Sequence, residues 1–217
     1  MTTDGHLQQR FKPIFKVYLI CLAVLLIGGG IWVRQGIINK SIPKRFGVVQ
    51  EGQLYRSGLI PSALMKNVLL KYKIKVIIDL AADSPEESGR KAEKKAVAEL
   101  GIERLTFALQ SDGTGDINDY AGAVAAIARA KKEHKPVLVH CNAGRQRTGG
   151  VIAAYQLLVE QKNPFLVYCG YIRYDRAPWR HKELFEYVNG HMGELAVLLK
   201  KMGVISEIPD PLPVFGL

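Results

Sequence analysis

A short apolar strand that runs into a cysteine-containing loop and then into a helix constrains the fold of this 217-residue chain more than any other segment. Residues 137–149 read VLVHCNAGRQRTG. The continuous apolar run 137–139 predicts a buried strand, and the residues from Arg147 onward predict a helix. Strand, loop and helix in this order are typical of an α/β sheet, in which ligands bind where the strands end. We therefore expect the loop that begins at Cys141 to lie at a ligand-binding edge.

This loop has the chemistry that is needed to hold a phosphate dianion against a thiolate. Five residues separate Cys141 from Arg147, so the loop can curl into a cup with the sulfur at its base and the guanidinium at its rim. The inward N–H groups and the helix N-terminus bind the anion and lower the pKa of the thiol. Arg147 can bind two phosphoryl oxygens, and Thr148 can donate its hydroxyl to the sulfur. Phosphate-binding N–H groups are expected from Asn142, Ala143, Gly144, Arg145 and Gln146.

Residues 140–149 resemble the H-C-x-x-G-x-x-R-[ST]-G signature of the cysteine-dependent protein tyrosine and dual-specificity phosphatases. The resemblance extends from about Gly47 to Met192, and the phrases LYRSG (54–58) and VIIDL (76–80) are similar to those of compact bacterial-type members. It implies that Cys141 attacks phosphorus, that Arg147 stabilises the transition state, and that an upstream aspartic acid protonates the leaving oxygen. Arg145 stands where phosphoinositide and phospholipid phosphatases of this superfamily often carry a basic residue.

The general acid is sought in the glycine-rich segment 110–119, which has three aspartates. Asp112 comes first after a predicted strand, and its position resembles the movable acid loop of the family. Asp116 is expected to cap the following helix, and Asp119 falls in its first turn. The tryptophan-proline-aspartate spelling of the family is absent. We therefore favour Asp112, with Asp116 as the alternative, and leave open that all three are solvated turn residues.

The predicted fold class is α/β, with a mostly parallel central sheet flanked by helices, similar to dual-specificity phosphatases and preceded by one transmembrane helix. A strand or hairpin edge is expected over residues 47–55. Strands are expected in the ranges 75–80, 102–109 and 136–139, and helices in the ranges 62–73, 85–100, 117–132, 147–161 and 179–201. Arg90, Lys91, Lys94 and Lys95 predict a solvated helix face. The predicted organisation is a short basic tail (1–16), an anchor (17–33), a basic linker (34–46), a phosphatase domain (47–202) and a proline-containing tail (203–217).

The apolar run 17–33 (VYLICLAVLLIGGGIWV) carries no charge and approaches the ~20 residues that cross a bilayer. A cleaved signal peptide is the alternative, but Ile31, Trp32 and Val33 follow the glycines and make a poor cleavage region. Three consecutive glycines also disfavour a globular helix. Because basic residues flank the run on both sides, the charges do not decide which side of the membrane the catalytic domain faces.

A net charge of +10 indicates an anionic partner, namely a membrane surface, a phosphorylated substrate or nucleic acid. Nucleic acid is disfavoured because the chain has no zinc-finger spacing and no aromatic RNA-binding signature. The five histidines follow no metal-ligand pattern, so neither a metal nor another cofactor is expected. Cys21, Cys141 and Cys169 form no disulfide framework. Cys169 is expected in the core, with reversible pairing to Cys141 as the less favoured alternative.

These features predict a membrane-anchored phosphatase of the dual-specificity type. Its expected substrates are phosphotyrosine, phosphoserine or phosphothreonine proteins, and the reaction passes through a cysteinyl-phosphate. A phosphoinositide or other phospholipid head-group phosphatase is the first alternative. A non-catalytic phosphate-binding module, a sulfurtransferase and an arsenate reductase remain the other classes that could use a cysteine–arginine loop.

Overall fold

The computed structural model describes residues 16–29, 43–81, 88–175 and 177–216, and the chain divides into two compact units, Met1–Ser41 and Ile42–Leu217. In the first unit, residues 16–29 form helix α1, and its apolar side chains are exposed. A search of the described segments found no helix with both the length and the apolarity to span a bilayer. The predicted tail up to residue 15, the last four residues of the predicted anchor and most of the predicted linker lie outside the described residues.

The second unit is built on a five-stranded sheet in the order β1-β2-β5-β3-β4. Its strands are β1 (Gly47–Gln50), β2 (Leu54–Gly58), β3 (Val76–Asp79), β4 (Glu103–Thr106) and β5 (Val137–Cys141). β1 is antiparallel to β2, and the other three pairs are parallel, which confirms the mostly parallel sheet. The central strand β5 is buried along its whole length. Its carboxyl end therefore brings Cys141 to the middle of one sheet edge.

Helices cover both faces of this sheet because side chains of a strand alternate between its faces. They are α2 (Ser62–Lys71), α3 (Ser88–Leu100), α4 (Ile117–Lys132), α5 (Gln146–Leu158), α6 (Pro164–Ile172), α7 (Lys182–Gly190) and α8 (Met192–Lys201). Val137 and Val139 join a large apolar cluster with α4 to α8, whereas Leu138 joins a smaller one with α2 and α3. Both clusters consist of residues of the second unit, so this unit has a core of its own.

Of the two alternatives predicted for residues 47–55, a strand or a hairpin edge, the structure shows the hairpin, because Gly52 takes a positive φ of 71° and reverses the chain between β1 and β2. Another predicted element differs from the structure. The single helix predicted over residues 179–201 is a short 3-10 turn followed by α7 and α8. The break lies at His191, whose φ of −105° and ψ of 6° are not helical, and Gly190 beside it weakens helix continuity.

The C-terminal segment packs against the second unit. Phe215 is buried against Phe185 and Tyr171, with ring centroids 4.8 Å and 5.3 Å away. The side chain of Asn189 makes two hydrogen bonds to the backbone of Phe215. Its Nδ2 donates to the Phe215 carbonyl at 2.9 Å, and its Oδ1 accepts from the Phe215 N–H at 2.7 Å. These contacts join the end of the predicted proline-containing tail to α6 and α7.

Candidate active site

Cys141 ends the central strand, and the loop after it folds back against the end of β2. The backbone N–H of Gly144 donates to the Cys141 Sγ at 3.1 Å. Gly144 has a φ of +65°, and a Cβ at this position would lie 2.4 Å from the backbone nitrogen of Gly58. Only glycine fits here, because any side chain would collide with backbone atoms. The sequence thus allows the tight turn that aims N–H groups at the sulfur.

The surroundings of Cys141 favour its thiolate. Burial raises the pKa of the thiol, but the Thr148 hydroxyl, the positive charge of Arg147 and the N–H groups of Arg145 and Gly144 together lower the pKa below its ordinary value. Thr148 Oγ1 is buried and has no other hydrogen-bond partner among the residues that the structure describes. Its proton is therefore available to the sulfur.

Three donors hold the carbonyl groups on the outer side of the loop. The Arg56 Nη2 donates to the Gly144 carbonyl at 2.8 Å, the Arg45 Nη1 donates to the Ala143 carbonyl at 2.9 Å, and the Leu59 N–H donates to the Asn142 carbonyl at 3.1 Å. Carbonyls that are held outward leave the N–H groups free to point inward.

The guanidinium of Arg56 is buried behind the loop and lies 4.1 Å from the ring centroid of Tyr174. Burial lowers the pKa of Arg56 to about 10, so the group stays charged at neutral pH. This buried cation contacts the carbonyl side of the loop. Arg56 belongs to the LYRSG phrase of the sequence, but the spacing of residues in that phrase did not indicate that Arg56 supports the cysteine loop.

A buried network of charges lies below the loop. Arg90 contacts both the carboxylate of Asp79 and the side-chain oxygen of Asn142. Arg104 joins Asp79 at 2.7 Å and Glu93 at 2.8 Å. Arg90 was predicted on a solvated helix face, and this is wrong: only 1% of it is exposed, because the first turn of α3 places it over the end of β3.

His140 also belongs to this network, with Nε2 2.9 Å from the Glu93 Oε2. Burial lowers its pKa, but the carboxylates of Glu93 and Asp79 raise it to about 9. Ligand atoms of Asp79, Glu93 and His140 lie within 4.8 Å of one another, as in a metal site. Because guanidinium groups already contact both carboxylates, we interpret the cluster as a charge-paired support for the loop.

The structure distinguishes the three aspartates of the predicted acid loop. Asp112 is half-buried, and its Oδ1 accepts from the Thr114 N–H at 3.0 Å and from the Thr114 hydroxyl at 2.8 Å. The backbone N–H of Thr114 lowers the pKa of Asp112, burial opposes this, and Arg147 lowers it further. Asp116 caps α4 by accepting from the Asn118 N–H at 2.8 Å, as predicted.

Asp119 is half-buried, and its pKa is raised by burial and by Asp116. Of the three aspartates, Asp112 is the one whose ionisation is influenced by Arg147.

The acid loop is in contact with the cysteine loop. A Cβ at Gly113 would lie 3.2 Å from the Cβ of Gln146 and 2.7 Å from the Leu184 Cδ1. The hydroxyl of Tyr120 donates to the Gly113 carbonyl, and that of Tyr187 donates to the Gly115 carbonyl at 2.6 Å. Asp112 is thus carried on a loop that packs against the cysteine loop and is held by two tyrosine hydroxyls.

The segment between α6 and α7 also contacts the cysteine loop, and the sequence analysis missed it. Asp175 has its Oδ1 3.9 Å from the Arg145 Nε, and His181 has its Nδ1 2.6 Å from the Gln146 Nε2. Both are buried polar residues more than 25 positions from the loop. A buried charge in an otherwise polar stretch leaves no periodic signal in the sequence, so only the fold reveals these contacts.

A mostly parallel sheet whose central strand ends in a cysteine–arginine loop is the arrangement expected of the cysteine-dependent phosphatases. Residues 59–186 match the family described as "Dual specificity phosphatase, catalytic domain". The match covers more than half of the chain, and the protein therefore belongs to the dual specificity phosphatase family.

Individual relatives are more distant. The chain is 29% identical to the dual specificity protein phosphatase OPG106 of monkeypox virus over 149 residues, which are 62% of this chain and 81% of that protein. It spans about half the length of other viral relatives that it matches, 44% for the fowlpox protein and 53% for the vaccinia protein.

Two solved structures share the fold. The core catalytic domain of the PP-IP phosphatase SIW14 from S. cerevisiae superposes with a TM-score of 0.57 at 19% identity, covering 79% of this chain and 97% of that one. The complex of PTPMT1 with PI(5)P superposes with a TM-score of 0.53 at 18% identity, covering 75% and 99%.

Proposed function

We propose that this protein hydrolyses phosphate monoesters through a cysteinyl-phosphate intermediate, with phosphotyrosine, phosphoserine or phosphothreonine proteins as substrates. The observation that carries the proposal is the Cys141 sulfur, which lies at the base of a loop of N–H donors and has a lowered pKa. A site for phosphate binding alone does not need a thiolate. Membership of the dual specificity phosphatase family supports the same reaction.

In the first step, the Cys141 thiolate attacks phosphorus in line with the ester oxygen. The P–S bond forms, the P–O bond breaks, and Asp112 gives its proton to the leaving oxygen. Arg147 and the loop N–H groups bind the equatorial oxygens, where the negative charge is spread in the transition state. In the second step, water attacks phosphorus and Asp112 takes its proton. The sulfur leaves as a thiolate that the Thr148 hydroxyl stabilises.

The test is turnover of an aryl phosphate by residues 42–217 under reducing conditions. Cys141→Ser should abolish turnover, and Asp112→Asn should lower kcat by about 100-fold or more, since general-acid assistance is worth ~100- to 10,000-fold. Asp116→Asn is the matched control, because asparagine caps a helix as well as aspartate does, and it should leave turnover unchanged.

Phosphate binding without turnover in the wild type would favour a phosphate-binding module. Turnover of thiosulfate or arsenate in place of the ester would favour a sulfurtransferase or an arsenate reductase.

Phospholipid head groups are the second candidate substrates. Arg145 lies in the loop with about a third of its side chain exposed, so it can reach a further anionic group of a substrate. The fold is shared with a PP-IP phosphatase and with a protein solved with PI(5)P. Comparing kcat/KM for a phosphotyrosine peptide and a short-chain phosphoinositide, in wild type and in Arg145→Ala, decides between the two classes. A loss confined to the lipid would favour the second candidate.

We further propose that residues 17–33 anchor the protein in a membrane as a single span, with the side of the catalytic domain left open. The exposed, uncharged apolar side chains of α1, such as Leu25 and Leu26, support an apolar environment for this helix. The full chain should resist alkaline carbonate extraction from membranes, and residues 42–217 should remain in the supernatant. Release of the full chain by carbonate would contradict the anchor.

A further inference from the structure

Gln146, which precedes the catalytic arginine in the loop, is in contact with a buried histidine and, through it, with a buried carboxylate. The Gln146 Nε2 lies 2.6 Å from the His181 Nδ1, and the His181 Nε2 lies 2.8 Å from the Asp175 Oδ2. His181 and Asp175 are only 8% and 2% exposed. Asp175 also accepts from the Tyr171 hydroxyl and from the Ala177 N–H, both at 3.2 Å. Asp175 is thus held from several sides.

The direction of each hydrogen bond follows from the chemistry of the groups. An amide nitrogen can only donate, so the His181 Nδ1 accepts from Gln146. With Nδ1 accepting, the proton of the neutral ring is on Nε2, which lies 2.8 Å from an Asp175 carboxylate oxygen, at ion-pair distance but without the alignment of a hydrogen bond. The nearby Asp175 carboxylate favours this tautomer of His181, and His181 in turn holds the Gln146 side chain. This is the arrangement by which buried carboxylates orient functional imidazoles.

The second neighbour of Gln146 is the acid loop. Gly113, the residue after Asp112, approaches the Gln146 Cβ so closely that its own Cβ would lie only 3.2 Å away. The other wall of this contact is Leu184, which lies one turn after His181 at the start of α7. Gly113 has a φ of +92°, which suits glycine and lets the backbone enter this gap. Gln146 and the start of α7, which lie beside His181, therefore also pack against Gly113, the residue next to Asp112.

We propose that Asp175 and His181 are positioning residues that act through Gln146 to hold the Asp112 loop where its carboxyl can protonate the leaving oxygen. The proposal rests on the proposed function, since it takes Asp112 as the general acid. Asp112 itself is held by contacts within its own loop, to Thr114. The placement of that loop on the cysteine loop depends on what it packs against, and Gly113 packs against Gln146.

The test is the dependence of rate on the leaving group. A general acid matters most when the departing alkoxide or phenoxide is strongly basic, so loss of its positioning should slow phenyl phosphate much more than 4-nitrophenyl phosphate. For His181→Ala and for Gln146→Ala we expect kcat/KM to fall by about tenfold or more on phenyl phosphate and by less than about threefold on the nitrophenyl ester. Asp175→Asn should behave in the same way. In an Asp112→Asn background, His181→Ala should no longer change the ratio of the two rates.

Gln156→Ala is the matched control, because Gln156 is a half-buried glutamine on the same helix α5, ten residues after Gln146. It should leave both rates unchanged. An equal loss on the two esters in both His181→Ala and Gln146→Ala would overturn the inference, since a general structural defect slows both. So would unchanged rates in either variant.

The same two esters distinguish failure of the inference from failure of the proposed function. If Asp112→Asn shows the leaving-group effect and the Gln146 and His181 variants do not, the inference fails while the proposed function stands. If wild type hydrolyses neither ester, the proposed function fails, and the inference fails with it.

Discussion

The buried pair of His140 and Glu93 below the catalytic loop predicts how the stability of the protein depends on pH. The pKa of His140 rises from 6.5 to about 9 because the attraction of Glu93 and Asp79 outweighs burial. A group whose folded pKa is raised stabilises the fold fully below its unfolded pKa and loses this contribution as pH rises through the folded value. The difference of about 2.5 in pKa corresponds to about 3 kcal/mol, since each unit is worth about 1.4 kcal/mol.

The assay is urea unfolding of residues 42–217 under reducing conditions, near pH 6 and near pH 10. We expect the free energy of unfolding to be about 3 kcal/mol lower at the higher pH. In Glu93→Gln the pKa of His140 should fall, so the protein should be less stable overall and much of this pH dependence should disappear. Equal stability at the two pH values in wild type would refute the reasoning, as would an unchanged pH dependence in Glu93→Gln.

Three further predictions concern the catalytic loop. Alkylation of Cys141 by iodoacetate should have its midpoint below pH ~8.5, the value of a free thiol, and Thr148→Ala should move the midpoint upward because it removes a donor that lowers the pKa. Gly144→Ala should destabilise the protein by about 1–3 kcal/mol in urea unfolding and abolish turnover, since its Cβ would lie 2.4 Å from the Gly58 nitrogen. Arg56→Met should lower kcat by about tenfold while the protein stays folded, because the Gly144 carbonyl loses a charged donor at 2.8 Å; an unchanged kcat would contradict this role.

The sequence predicted the parts of the site that are continuous in the chain. The strand, loop and helix around Cys141 and Arg147 could be read directly, because a strand end, a turn glycine and a helix start are all local properties. Asp116 was recognisable as a helix cap for the same reason, since its hydrogen bond reaches only two residues along the chain.

The supports of the site could not be read in this way. Arg90 has the spacing of a solvated lysine-rich face, and only the parallel pairing of β3 with β5 places Asp79 and Asn142 close enough to bury it. Asp175 and His181 lie in a segment without apolar periodicity, and their contacts with Arg145 and Gln146 arise from the packing of α6 and α7. Contacts between residues that are far apart in the chain depend on the tertiary fold, and a single sequence does not encode them as a local pattern.

The central claim is that phosphate passes through a covalent bond to Cys141, and the most direct test is to isolate that intermediate. Residues 42–217 would be mixed with an aryl phosphate, quenched in acid during turnover and digested, and the peptide containing Cys141 would be examined by mass spectrometry. We expect a phosphoryl group on Cys141, in a larger fraction in Thr148→Ala because the sulfur then leaves more slowly, and no phosphoryl group in Cys141→Ser. Turnover by wild type with no phosphoryl group on Cys141 in either wild type or Thr148→Ala would contradict it.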